Sequence, residues 1–234
     1  ECDNEMPMIA IGNEFLDALP IRQIAFHDGQ WSEVVISCRS DHDCLIWGHG
    51  PCLPLPEDIQ NFIKDESPAE GSVIEFSSAR RHFLHELSNR ITGQGGAALF
   101  IDYGYRGPVF ADSFQAVKSH KYIDPLLTPG ESDLTAYIDF CDIQNIADRN
   151  CLKSTEIMPQ KRYLERIGIH QRAAVLKKSA DAEMAHDIDL AIHRLIDERE
   201  MGEHFKVCAF GQHDIIFSGL ENKEGEENKE DEHE

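Results

Sequence analysis

Six consecutive residues, Ala97-Ala98-Leu99-Phe100-Ile101-Asp102, constrain the fold of this chain more than any other stretch. The run is apolar on both alternating faces until its last residue, as in a strand covered on both sides in a parallel sheet. A parallel partner must be reached through a crossover, and the preceding segment supplies one. Ala79, Phe83, Leu84, Leu87 and Ile91 recur at helical spacing, and Ser77 or Ser78 stands where an N-cap is needed. Gly93-Gln94-Gly95-Gly96 then stops the helix. The partner strand is Met8-Ile9-Ala10-Ile11, which is short, apolar and ended by Gly12. Two adjacent parallel strands follow, their carboxyl ends together, with Asn13 and Glu14 beside Asp102 and Tyr103.

Between these strands, residues 22–26, 32–37 and 45–47 read as three further strands, and their close spacing predicts an antiparallel insertion over 28–76. Residues 56–64 fit a short helix in a stretch rich in Gly, Pro and acids. Beyond the central strand, Ser132 or Asp133 is placed to cap a helix with Leu134, Tyr137, Ile138 and Cys141 on its apolar face. A helix over 181–199 carries a stripe of Met184, Ile188, Ala191, Ile192, Leu195 and Ile196, expected to be buried, and residues 205–210 close as a strand.

The formal charge is −21, of which −6 falls on residues 221–234 with their eight acids and two lysines. Such a balance disfavours nucleic-acid backbones and anionic membranes and suits a basic protein partner. Residues 219–234 are too charged and too poor in apolar side chains to form a core, so they read as a disordered acidic tail behind a domain over 1–218. Seven irregularly spaced cysteines, an odd number, fit a reducing compartment, bacterial cytoplasm or mitochondrial matrix. Cys38, His42, Cys44, His49 and Cys52 cluster, but without a C-x2-C pair they match no common zinc knuckle, and no metal is expected. No run of about 18 apolar residues marks a membrane span.

Chemistry is concentrated at the strand ends, where open α/β sheets place it. Glu14 and Asp17 stand three apart in Gly12-Asn13-Glu14-Phe15-Leu16-Asp17-Ala18-Leu19-Pro20. A carboxylate pair there can hold a cation, and a guanidinium offers forked donors that carboxylates accept two at a time. The plain alternative is a turn-capping Asp17 and a solvated Glu14. Tyr103 could stack on a guanidinium or an adenine, or be a rim aromatic. His120 and Asp124 could work as a base pair for proton removal, and Asp133 has a local explanation as a helix cap.

Four strings occur in order along the chain: the acidic stretch above, Ile101-Asp102-Tyr103-Gly104, Pro129-Gly130-Glu131-Ser132-Asp133-Leu134-Thr135-Ala136, and Glu200-Met201-Gly202-Glu203-His204-Phe205-Lys206-Val207. Together they resemble the MidA family of S-adenosylmethionine-dependent protein arginine methyltransferases, linked to assembly of respiratory complex I. The resemblance implies an α/β fold: a partial class I, Rossmann-like methyltransferase sheet entered at about its fourth strand, with an antiparallel β insertion and added helices. It also implies S-adenosylmethionine as cofactor and a basic protein substrate, a complex I subunit. Asn13, Glu14 and Asp17 would be catalytic, and Asp102, Tyr103, His120, Asp124 and Asp133 would bind substrate.

The family's glycine-rich loop and the acidic residue that hold the cofactor belong to an amino-terminal part with no counterpart here, so cofactor-binding residues cannot be assigned on this chain. Lys161 replaces a glycine after Gln160, and Ser113-Phe114 stands where threonine and leucine are commoner. Either the missing half comes from another chain or a homo-oligomer, or the sequence is a fragment, or the molecule has rebuilt the exposed edge of its sheet. A different class of function remains open, a non-catalytic complex I assembly or binding protein that uses the acidic cleft.

Overall fold

The computed structural model describes residues 6–39, 44–119 and 121–221. The chain enters through β1 (Met8–Asn13) and passes into β2 (Arg22–His27), β3 (Gln30–Arg39), β4 (Cys44–Gly50), α1 (Glu57–Asp65) and β5 (Val73–Phe76). It continues through α2 (Ser78–Gln94), β6 (Gly96–Tyr105), β7 (Gln115–Lys118), β8 (Lys121–Ile123), β9 (Asp133–Thr135), β10 (Ile138–Asp139) and α3 (Phe140–Arg149). It ends with β11 (Lys153–Ser154), β12 (Met158–Pro159), α4 (Gln160–Arg166), α5 (Ile169–Lys177), α6 (Ala182–Ile196), α7 (Met201–His204) and β13 (Phe205–Gly211). These elements form two compact units, one of Gly12–Leu87 with Asp102–Ile146 and one of the chain up to Ile11, Ser88–Ile101 and the residues from Ala147 onward.

The second of these units holds the sheet order β1-β6-β13-β11, with β11 and β12 both antiparallel to β13. The apolar run reads as expected: alternate residues of β6 from Phe100 to Gly104 are buried, and Ala97 and Ala98 are buried together. Its neighbour β13 buries Phe205, Val207, Cys208, Ala209 and Phe210. Met158, Val207, Ala209 and Leu220 form a core against Leu99, Ile101, Tyr163 and Phe217. Gly95 and Gly96 both adopt positive φ at the end of α2, and a Cβ on Gly96 would stand 1.9 Å from the Met8 carbonyl oxygen. Only glycine fits that approach.

α6 starts where the sequence places it, with Asp181 Oδ1 accepting the Met184 amide at 2.9 Å. Its apolar stripe, however, is not buried: no residue of α6 is, and Met184 is 55% exposed. Spacing identifies an apolar face but not whether another element covers it.

In the other unit, β4-β3-β2-β5 form an antiparallel sheet. Ile24, Ile59, Ile74 and Phe76 make its core, with Trp31, Leu55, Phe62, Ile63 and Phe110 packed around them. Each of the fully buried isoleucines contributes about 1.5–3 kcal/mol by leaving water. β8-β7-β9 form a second small sheet. The helix expected from residue 133 is absent there: Asp133–Thr135 pairs antiparallel with β7, and Ile138–Asp139 pairs parallel with β6. Thr135, Tyr137 and Ile138 favour strands, and pairing partners on both sides outweigh the helical spacing. The helix begins later, at Phe140, where Asp139 Oδ1 accepts the Cys141 amide at 2.9 Å.

Candidate functional site

β1 ends in a turn whose first residue, Glu14, has φ of +48°. That left-handed conformation is uncommon for a residue with a Cβ and costs on the order of 1 kcal/mol. The next three amides, of Phe15, Leu16 and Asp17, all donate to Asp102 Oδ2, at 3.1, 3.0 and 3.3 Å. Asp102 Oδ1 accepts the Tyr103 amide at 3.0 Å. The carboxyl ends of β1 and β6 therefore lie side by side, joined by one carboxylate.

Asp102 is 1% exposed and occupied by backbone donors, so it fixes the turn from beneath and offers no open face to a ligand. Burial, reinforced by the charge of Asp17, nonetheless pushes its pKa up to about 7. Arg80 completes the frame. Its guanidinium donates to the carbonyls of Leu16 (2.7 Å), Asp17 (3.2 Å), Ala136 (2.7 Å) and Tyr137 (2.8 Å). Ser77, the expected cap of α2, accepts the Arg80 amide at 3.0 Å and donates to the Pro20 carbonyl. One buried cation thus ties the acidic turn to the segment that follows β9.

With Asp102 and Arg80 consumed by backbone, the groups left at the site are Glu14, Asp17 and a row of tyrosines. Asp17 is 4% exposed, and its Oδ1 accepts no hydrogen bond among the described residues. Burial raises its pKa, the Ala18 amide opposes that, and the charge of Glu14 adds to it. Glu14 and Asn13 are exposed, with Asn13 Nδ2 3.4 Å from Glu14 Oε1. Tyr103 stacks on Tyr137 with ring centroids 5.5 Å apart and planes at 20°, and Tyr105 lies 5.2 Å from Tyr137. Burial, then the Glu14 charge, pushes the Tyr103 hydroxyl up to about 12. Tyr103 and Asp17 both feel the charge of Glu14. Carboxylates beside aromatic faces form a seat for an organic cation.

Two other expected residues stand in local structure. Asp124 is exposed, and its Oδ1 accepts the Leu126 amide at 2.9 Å in a turn of its own. Asp133 is exposed on β9, where there is no helix for it to cap. His120 and His42 lie outside the described residues. Among the described residues no group of His, Cys, Asp and Glu is arranged to hold a metal. Among the described residues no helix is long and apolar enough to cross a membrane.

Arg80 and Glu75 are the residues that sequence reasoning missed. Glu75 accepts the amides of Ser113 (3.1 Å) and Phe114 (3.0 Å) and the Ser113 hydroxyl, and Ser113 Oγ accepts the Tyr137 amide at 2.8 Å. Both act on backbone, which leaves no spacing signature. The one available signal was that Arg80 sits at the third position of a capped helix, next to an otherwise apolar face.

β6 continues through Gly104, and a Cβ there would meet the Ile138 carbonyl oxygen at 2.4 Å and the Phe140 ring at 2.6 Å. Its role is close strand approach.

Residues 1–158 match the family described as "Putative S-adenosyl-L-methionine-dependent methyltransferase". The chain belongs to this family. Similar curated proteins include the mitochondrial protein arginine methyltransferase NDUFAF7 homolog of Caenorhabditis elegans, 33% identical over 204 residues, and NDUFAF7 of Danio rerio, 33% identical over 205. The matches cover 86% and 85% of this chain but 46% of each relative, so the chain spans about half their length. A solved structure of a COG1565 superfamily member from Burkholderia thailandensis, bound to S-adenosyl-homocysteine, superposes with a TM-score of 0.77 at 26% identity. It covers 94% of this chain and 56% of that one.

The donor of this methyltransferase family is S-adenosylmethionine. The amides that follow β1 are spent on Asp102, and among the described residues no glycine-rich loop leads from a strand into a helix.

Proposed function

We propose that this chain is the acceptor-binding portion of an S-adenosylmethionine-dependent protein arginine methyltransferase, and that Glu14 and Asp17 hold the substrate guanidinium against Tyr103. The observation that carries this reading is the Asp17 carboxylate, buried yet with an unpartnered oxygen, on a turn that accepts backbone strain at Glu14. A buried carboxylate oxygen without a donor is costly, and a guanidinium supplies both the charge and the hydrogen bond it lacks. Glu14 is exposed and can meet the second edge of the planar group. Asn13 steadies Glu14 from the preceding residue. Asp102 and Arg80 are positioning residues that set the turn.

When bound, the donor supplies an electrophilic methyl on a sulfonium. The carboxylates fix the plane of the guanidinium, so that one nitrogen faces a single direction, and a carboxylate whose pKa burial has raised is the better acceptor of the proton that nitrogen loses. Asp17 fits that duty.

In this reading β1 corresponds to about the fourth strand of a class I methyltransferase sheet. Supporting it, among the described residues β1 has a partner on one side only in the order β1-β6-β13-β11, and Ile9 and Ile11 are 79% and 70% exposed. The acceptor is a basic segment of a protein, in keeping with "protein arginine methyltransferase" in the names of the relatives, and the resemblance of the sequence motifs makes it a respiratory complex I subunit; the compartment is the mitochondrial matrix, in keeping with "mitochondrial" in those names. The formal charge of −21 suits such a partner.

Calorimetry with an arginine peptide and its citrulline counterpart tests the seat, because citrulline keeps the shape and loses the charge. Arginine should bind at least tenfold tighter, and Glu14→Gln or Asp17→Asn should abolish the difference. Equal affinity for the two peptides overturns the reading. S-adenosylmethionine titrated into this chain and into a longer polypeptide extended upstream should bind only the longer form.

A further inference from the structure

Beside Asp17, the antiparallel insertion, the chain that leads into it and β9 line an open cavity of about 400 Å³, within the range of small-ligand sites. Asp17 is itself part of its lining. Val34, Ile36, Trp47, Phe114 and Leu134 make up its apolar wall, drawn from β3, β4, the segment before β7, and β9. Trp47 and Phe114 meet edge to face at 6.2 Å, while Ile36, Trp47 and Leu134 remain 53%, 43% and 42% exposed. Large apolar side chains left half open around a cavity mark a surface built to be covered.

The charged groups at this cavity say what covers it. Arg22 is engaged twice by Glu33, at 2.6 and 2.7 Å, and its guanidinium carbon lies 4.8 Å from the Phe76 ring centroid. That cation is neutralised and offers nothing to an acidic ligand. Gln23 donates to Glu75 and Asp112, and Gln115 donates to Thr135. Among the described residues, the buried side-chain oxygen of the lining that lacks a hydrogen-bond partner is Asp17 Oδ1, and its carboxylate calls for a cation. An occupant must therefore be apolar along most of its length and cationic at one end.

We infer that this groove receives the substrate polypeptide itself, seating a large apolar side chain next to the arginine that Asp17 engages. The inference rests on the arginine reading above and adds to it a substrate class: segments in which the modified arginine is flanked by bulky apolar residues. Neither a lone arginine nor an arginine among glycines would fill the cavity.

Fluorescence anisotropy with labelled Gly-Leu-Arg-Leu-Gly and Gly-Gly-Arg-Gly-Gly peptides tests it on the full chain. The leucine peptide should bind about tenfold tighter, as expected from burying a leucine side chain. Trp47→Ala should bring the two peptides to the same affinity. Ile36→Ser, at a second exposed wall position, should do likewise, and circular dichroism checks that both variants are folded. Equal binding of the two peptides by the wild type, a preference that survives both substitutions, or no binding of the leucine peptide would each overturn the inference. A third peptide with citrulline for arginine separates the two claims. If it binds as well as the leucine–arginine peptide while the leucine preference persists, the arginine seat falls and the apolar groove stands.

Discussion

Arg80 holds Asp17 by its backbone and leaves one oxygen of its side chain without a hydrogen bond: the guanidinium donates to the Asp17 carbonyl at 3.2 Å, while Asp17 Oδ1 accepts nothing among the described residues. A buried cation spent on carbonyls keeps the adjacent carboxylate available for a ligand, and it does so at a structural cost that substitution should reveal. Arg80→Met strands four carbonyl groups and removes the counter-charge to Asp17 and Asp102. Urea denaturation should show a loss of about 3–5 kcal/mol, and Arg80→Lys should recover only part of it because an ammonium cannot span four acceptors.

Asp102 makes stability depend on pH in the sense opposite to that of a salt-bridged carboxylate. Its folded pKa, about 7, lies above the ordinary value of 3.8. Between those values the folded state holds a proton that the unfolded state has released, so this group's contribution is fully present below about pH 4 and is lost as pH rises through about 7. Unfolding free energy of the wild type should fall relative to Asp102→Asn over that window, by on the order of 3 kcal/mol. A difference that stays flat from pH 4 to 8 would contradict the assignment.

Gly104 and the β10 backbone are in such close approach that a single methyl group has no room. With the Ile138 carbonyl oxygen 2.4 Å and the Phe140 ring 2.6 Å from the added carbon, Gly104→Ala must push β10 off β6. The expected loss is about 1–3 kcal/mol, read as a lower urea midpoint at unchanged m-value.

The parts of this molecule that could be read from sequence are those whose cause is local. The apolar run of β6, the spacing and serine cap of α2, and the helical spacing of α6 each depend on a few neighbouring residues, and each element occurs near its expected bounds. Residues 133–141 went the other way because helical spacing was judged without its competitors, β7 and β6, which lie far away in sequence. The helices α4 and α5 were not anticipated at all; Ala173 is the one buried residue of α5, so its pattern is weak. At the site, Glu14, Asp17 and Asp102 could be placed together because two parallel strands share one end. That Asp102 would be spent on amides could not be seen, since a carboxylate's partners depend on how the turn above it closes.

Glu14 combines strain with exposure, and that combination allows a prediction in which stability and ligand binding part company. At φ of +48° a glycine would be free of the Cβ clash, while the Glu14 side chain has one hydrogen bond, to Asn13 at 3.4 Å, to lose. Glu14→Gly should therefore raise the unfolding free energy by about 0.5–1 kcal/mol, the relief of αL strain less the extra entropy a glycine gives the unfolded chain. The same substitution should weaken the arginine peptide by at least tenfold, since the second carboxylate of the seat is gone. Glu14→Ala separates the two effects: it loses binding equally, but it keeps the Cβ and gains no stability. If Glu14→Gly is instead destabilised by more than about 1 kcal/mol, the side chain has a structural role in the turn, and the strain at this position was not retained for the sake of a ligand.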